Sequence, residues 1–333
     1  AARNNNFPDF QQALRNNPSR SPYDENSETG YNVWTNESLD YNVVADSWMK
    51  DYYGLDKWFK PEVTFKLNIK PIPGLTYQQV LGYENRQWEN HTYNPSTARD
   101  EIENSRKGTA YLGFSKTENL TSEGYFTYLK EFNGGHNINA TAGYSYFETN
   151  GEGFNMTNYN FSVDGIKYWD MNQGSYLSDG KAAMSSSKNI TEKLFSVFAR
   201  VNYSYNDKYM ASASIRHEGS SKFAADNRWA NFWSVTAGWR ISNEDFMKDV
   251  SWVNDLKVRF GYGVTGNNDF SASYMANLLG SDTNWMLPNG TWAYSYGKTQ
   301  NVNPNLGWEE KKEWDLGLDY SLFDGRLYGK FDY

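Results

Sequence analysis

The chain has no cysteine among its 333 residues, so disulfide staples and thiolate metal sites are excluded. Its three histidines, His91, His136 and His217, lie far apart in sequence, which argues against a histidine-rich metal cluster. Basic residues are the minority, with 32 Lys and Arg against 40 Asp and Glu and a net charge of -8. No basic stripe offsets that balance, which argues against a nucleic-acid backbone as partner. No window reaches the ~18 consecutive apolar residues of a transmembrane helix. A membrane stays open, because strands that cross one are apolar on only one face. There is no initiator Met and no signal-peptide hydrophobic region, and the final RLYGKFDY stops inside a strand-like run. The chain is therefore expected to be a piece of something longer.

Aromatic residues are what the chain has in excess. They make up 17%, including 13 Trp and 26 Tyr, in a sequence whose mean hydropathy is only -0.82. A polar chain does not need so many rings for a water-soluble core of this size. Two readings fit: a soluble carbohydrate-binding or propeller-like β protein, or a transmembrane β-barrel with aromatic girdles.

Alternation is the dominant pattern. In EKLFSVFARVNYSY (192–205), Phe195, Val197, Ala199, Val201, Tyr203 and Tyr205 share one face. Ser196, Arg200, Asn202 and Ser204 share the other, with Phe198 as an exception. WANFWSVTAGWRIS (229–242) sets Trp233, Val235, Ala237 and Trp239 against Ser234, Thr236, Gly238 and Arg240. DLKVRFGYGV (255–264) and WDLGLDYSL (314–322) do the same, with Val258, Phe260, Leu316 and Leu318 on their apolar faces. Charged residues such as Arg200, Arg240, Lys257 and Arg259 sit deep in the polar faces, and aromatics gather at run ends. These runs are about as long as the ~9–11 residues of a tilted membrane strand. Val197, Val201, Val235, Trp239, Val258, Phe260, Leu316 and Leu318 are the residues expected to face lipid. Helical patterning is nearly absent, and only 7–15 and 243–250 look able to hold a helical turn.

The connections alternate in length. Short ones are PIPG (71–74), NGG (133–135), YND (205–207) and DG (324–325). Long ones are the N-terminal 60 residues, 88–120, 148–191, 218–228 and 265–310. Outer-membrane barrels have this asymmetry, with tight periplasmic turns and long extracellular loops. The expected fold is all-β, an antiparallel up-and-down transmembrane barrel. Residues 1–60 read as an extracellular loop region between strands. Residues 61–333 read as the strands and their loops, in a single domain incomplete at both ends.

The stretch RHEGSSKFAADNRWANFWSVTAGWRIS (216–242) resembles a hallmark of the SusC/RagA-type TonB-linked outer-membrane proteins of Bacteroidetes. The matching positions are Arg216, Gly219, Ser220, Ser221, Phe223, Asn227, Arg228, Phe232, Ser234, Gly238, Trp239, Arg240 and Ile241. VNDLKVRFGYGVTGNN (253–268) and NPNLGWEEKKEWDLGLDYSLFDGRLYGKFDY (303–333) continue the match, and 189–216 fits well. PGLTYQQVLGY (73–83) and GGHNINATAGYSY (134–146) match more loosely, and FPDFQQALRNNPSRSPYDEN (7–26) looks like a loop between early strands.

The resemblance implies TonB-dependent import of oligosaccharides or peptides, without chemistry of its own and without a cofactor or metal. The implied partners are a SusD-like lipoprotein at the extracellular face, the TonB–ExbB–ExbD system and outer-membrane lipid, in a dimer of importer–lipoprotein pairs. It also implies that the chain is about ten strands of a roughly 22-stranded barrel, without the plug and the TonB box. A siderophore- or vitamin-type receptor is the alternative within that architecture. A soluble all-β glycan-binding or glycoside-hydrolase domain is the alternative from another class.

No catalytic motif emerges. GYGVTGNN (261–268) follows a strand and lacks the helix and Lys of a phosphate loop. The carboxylates Glu309, Glu310, Asp315 and Asp319 stand near Lys311 and Lys312, as on a solvated wall. Loop aromatics are the one ligand-like feature: Tyr168 and Trp169 in one long loop, Trp285, Trp292, Tyr294 and Tyr296 in another. Such rings stack on sugars and extended peptides, or pack loops against each other and against a partner lid. The roles of Arg216, Asp226 and Arg228 stay open at this point, with pinning of the loop to neighbouring strands as one possibility.

Overall fold

The computed structural model describes residues 12–35, 41–189, 191–270, 279–298, 301, 303 and 305–333. Among the described residues fourteen strands follow one another: β1 (Asp51–Phe59), β2 (Glu62–Asn68), β3 (Leu75–Pro95), β4 (Gly108–Phe132) and β5 (His136–Tyr159), then β6 (Ala183–Lys188) and β7 (Glu192–Tyr205). β8 (Tyr209–Ser220), β9 (Trp229–Arg240) and β10 (Val253–Asn267) come next, then β11 (Leu279–Met286), β12 (Trp292–Lys298), β13 (Glu309–Leu322) and β14 (Leu327–Asp332). Twelve of them form one sheet in the order β1-β3-β4-β5-β7-β8-β9-β10-β13-β14, with β2 also on β3 and β6 also on β5. β11 and β12 pair separately.

This overturns the barrel expectation. The sheet is an open path that ends at β1 on one side and β14 on the other, and those two strands are not paired. Closure requires a hydrogen-bonding partner on both sides of every strand column. Among the described residues the two terminal columns have a partner on one side only. The count differs as well, because β1 forms inside the 1–60 segment, β6 inside the 148–191 connection, and β11 and β12 inside the 265–310 connection. β3 and β5 also run well past the alternating stretches that announced them, to Pro95 and Tyr159.

The tight turns follow from local chemistry. Between β7 and β8, Asn206 and Asp207 both take positive φ, 50° and 53°, and Lys208 N donates to Tyr205 O at 2.9 Å. That is a β-turn with both central residues left-handed, set in a three-residue connection because Tyr205 pairs with Tyr209, and Asn and Asp tolerate its geometry. Residues 243–250, expected to hold a helical turn, contain the 3-10 turn Asp245–Met247, and another, Ile241–Asn243, ends where they begin.

The chain divides into two compact units. The first comprises Ala1–Lys60, Glu84–Glu118 and Asn150–Asn189. Its core is aromatic: Tyr93, Ala110, Phe161 and Tyr168 are buried together, with Tyr53, Leu112 and Met171 against them. The short helix Val43–Met49 is capped by Asn42, whose Oδ1 accepts from the backbone N–H groups of Val44 and Ala45. A second short helix, Arg99–Glu103, presents Glu101, which is 0% exposed. The Glu101 carboxylate accepts from Arg106 Nε at 3.1 Å and from Thr109 Oγ1 at 2.7 Å, so its burial is compensated.

The second unit comprises Pro61–Tyr83, Asn119–Thr149 and Ile190–Tyr333. Its strands are two-faced, and the register carries each face across the sheet. Val201 lies opposite Ala213, Ala213 opposite Val235, Val235 opposite Tyr262, and Tyr262 opposite Trp314. One residue along, Asn202, Ser212, Thr236, Gly261 and Asp315 form a polar row in the same way. The apolar face is not covered by protein in this unit. Val197, Val201, Val235, Trp239, Phe260, Leu316 and Leu318 are between 36% and 48% exposed, high for large apolar side chains mid-strand.

Candidate functional site

The polar face of the second unit holds a cavity of about 430 Å³. Asn139, Asn202, Ser212, Thr236, Lys257 and Arg259 are among the side chains that line it. Alternation puts them there, since each occupies the polar parity of its strand. Arg259 is the most heavily bonded of them. It donates to Asp319 through Nε at 3.1 Å and Nη2 at 3.0 Å, and to Asp332 Oδ1 at 2.6 Å, with Asp315 at 3.9 Å. Arg240 pairs with Asp255 at 3.2 Å. The carboxylates singled out by sequence are thus engaged with cations and amides: Asn267 Nδ2 donates to Glu309 at 3.0 Å, and Lys312 stands 3.8 Å from Glu310. Amides, hydroxyls and neutralised charges suit transient hydrogen bonding to a polar solute. No nucleophile–base pair is built here.

The 216–229 stretch turns out to be a clasp. Ser221 exchanges two bonds with the Lys193 backbone, its N–H donating at 2.8 Å and its Oγ accepting at 2.7 Å. Ser220 is 2% exposed, and its Oγ accepts from Lys222 N and from Asn268 Nδ2. Phe223, also 2% exposed, packs against Phe270 and Trp308 at centroid distances of 5.0 and 5.1 Å. Trp308 Nε1 donates to Arg228 O at 2.9 Å, and Lys222 Nζ pairs with Glu192 at 3.2 Å. Gly219 is required by close approach, because a Cβ there would lie 2.6 Å from the Trp229 ring. The Trp229 indole in turn stacks on His217 at 4.9 Å and 7°. Arg216 bonds Glu218 at 2.6 Å, while Arg228 contributes its main-chain carbonyl. The motif joins the β8–β9 connection to the 268–270 and 305–308 segments through bonds and rings.

The loop aromatics separate. Tyr168 is 8% exposed inside the core of the first unit, 5.2 Å from His91, and burial raises its hydroxyl pKa. Trp169 beside it is 75% exposed. Trp285, Trp292 and Tyr296 are exposed on the β11–β12 hairpin, where Met286 lies opposite Trp292. Tyr294 pairs with Asn284 through the backbone, and its side chain lies outside the described residues. The eight residues expected to face lipid share the single apolar face described above, with Val258 half-buried.

Sequence reading missed the polar centre of the first unit. Asp164 accepts from Tyr93 Oη at 2.8 Å, Ser96 N at 2.9 Å and Ser96 Oγ at 2.7 Å. Burial and these bonds to Asp164 raise the Tyr93 hydroxyl well above its ordinary range. The Asp-Gly pair at 164–165 marked a turn, but nothing local indicated donors some 70 residues upstream.

Comparison with known proteins adds a family match over the whole length. The model described as "TonB dependent receptor-like, beta-barrel" matches residues 1–333. The chain is 34% identical over 265 residues to TonB-dependent receptor P3 of Formosa agariphila, covering 79% of this chain and 25% of that protein. It is 38% identical over 141 residues to TonB-dependent receptor SusC of Bacteroides thetaiotaomicron, covering 42% of this chain and 14% of SusC. Its fold is similar to that of the solved RagAB peptide transporter, with a TM-score of 0.77 at 21% identity, over 88% of this chain and 31% of the other. The chain spans about a quarter of the length of the Formosa relatives it matches.

Proposed function

Because the chain belongs to the TonB-dependent receptor-like family, in its SusC/RagA-like branch, we propose that it forms part of an importer of oligosaccharides or peptides. The family resides in the outer membrane, and so does this chain. One observation carries the reading: a sheet with an exposed apolar face on one side and a hydrogen-bonding, charge-paired face with a cavity on the other. In this reading Val201, Val235, Phe260, Leu316 and their row neighbours meet lipid as the strands cross the membrane. The polar face meets solute. The role is transport without catalysis.

In the same reading the energy comes from the TonB–ExbB–ExbD system, through parts of the receptor outside this chain. A SusD-like lipoprotein covers the extracellular face, and two importer–lipoprotein pairs associate. The exposed rings Trp169, Trp285, Trp292 and Tyr296 are the candidate contacts for substrate or lid. The test is a clean deletion of the gene, followed by uptake of labelled glycans and peptides. Unchanged uptake of every substrate would sink the importer reading. Recovery of the native receptor in a soluble, detergent-free fraction would favour the soluble glycan-binding class instead.

A further inference from the structure

We propose that the open edge of β6 binds an extended peptide by strand addition. The inference rests on the importer reading and concerns how one of its two substrate classes would be gripped. β6 pairs with β5 in unbroken antiparallel register, from Ala183 opposite Thr157 to Lys188 opposite Glu152. It lies off the main path of the sheet and pairs with β5 alone. All six of its residues, Ala183–Lys188, are exposed. Its other backbone edge has no hydrogen-bonding partner among the described residues.

Free strand edges are templates for further pairing, and proteins blunt them with proline, bulges or charge. The segment AMSSSK has no proline, no register shift and a single charge at its end. Six residues in strand geometry offer an edge of roughly 20 Å. Ser185, Ser186 and Ser187 are small and uncharged, so they leave the approach open and select for no particular side chain. An edge of this kind recognises the alternating N–H and C=O groups of an extended backbone, whatever its sequence. A sugar chain presents no such register. The occupant that fits is a free peptide, held briefly through its main chain.

The experiment uses the full-length receptor with its co-purifying partners in detergent, and reads fluorescence anisotropy. The probe is a labelled decapeptide of alternating Val and Thr. Binding is expected, with at least a tenfold loss for the same peptide N-methylated at every amide. Ser185→Pro and Ser186→Pro are both made, because adjacent N–H groups point to opposite edges of a strand. One of the two is expected to weaken binding at least tenfold, while Ser186→Ala leaves it unchanged. If a proline variant fails to fold, the N-methylated probe on the wild-type receptor decides. The proposal is overturned if the decapeptide does not bind. It is equally overturned if the N-methylated peptide binds as well, if both folded proline variants bind normally, or if a neutral hexasaccharide competes. Normal peptide uptake alongside no edge binding would overturn this site alone. Unchanged uptake in the deletion strain would overturn the importer reading and leave edge binding measurable.

Discussion

The two units use the same residue types to opposite ends. In the first, rings turn inward: Tyr93, Phe161 and Tyr168 bury one another, and charges such as Glu101 and Asp164 are drawn in with donors arranged around them. In the second, rings and aliphatics of equal size stand outward on one face, while Arg, Asp and Asn occupy the other. Inward burial is how a structure in water stabilises itself. An exposed apolar row of this kind marks a surface made to be covered, by lipid or by another protein. The difference teaches that alternation marks a two-sided strand, and that the medium on each side decides which side is the core.

Breaking this contrast starts with the largest effect. Phe161→Ala, at a 1% exposed position, should cost the first unit about 3–5 kcal/mol. Hydrogen exchange around Tyr93 and Tyr168 checks it, and the loss should be the same in detergent and in lipid vesicles. Val235→Arg should cost ~2–4 kcal/mol at a bilayer midplane, on refolding into vesicles, whereas Thr236→Arg one residue along should be tolerated. Equal tolerance at 235 and 236 would contradict the assigned faces. Glu101→Gln removes the charge that Arg106 and Thr109 address and should cost about 1.5–3 kcal/mol, read as a lower urea midpoint for the first unit.

The smallest effect is a pH dependence in the second unit. Glu244, in the turn after β9, accepts from Tyr209 Oη at 2.6 Å, Trp239 Nε1 at 3.0 Å and Lys208 Nζ at 3.2 Å. The Tyr209 bond foremost, then the Trp239 bond, holds its carboxyl below the usual range. A depressed folded pKa means the contribution is complete above the unfolded pKa and is lost as pH falls through the folded one. Glu244→Gln should therefore lower stability slightly at neutral pH and flatten the acid side of the profile, so that variant and wild type converge at acid pH. A profile identical to wild type down to acid pH would refute it.

How much was legible varies by element. The alternating runs at 192–205, 229–242, 255–264 and 314–322 all fall on strands, because a period of two forces one side chain up and the next down. The shared face of the eight residues expected to meet lipid follows for the same reason. β6 escaped notice because MSSSK has no apolar parity, and its pairing with β5 depends on where a long connection returns. β1 lies in DYYGLDKWF, where the adjacent rings Tyr52–Tyr53 and Trp58–Phe59 break the alternation that would have marked its pairing with β3. The clasp at 216–229 was visible as residues and not as a mechanism. Ser221 reaches Lys193, and Phe223 reaches Trp308, across separations that no local pattern encodes.

Composition and alternation alone determined that the chain is β-rich, two-faced and without thiol chemistry, because residue type and parity are local properties. Only the tertiary structure decided that the sheet stays open between β1 and β14, that Tyr168 is core while Trp169 is surface, and that β6 keeps a free edge. Each of these depends on which distant segment supplies, or fails to supply, the next hydrogen-bonding partner.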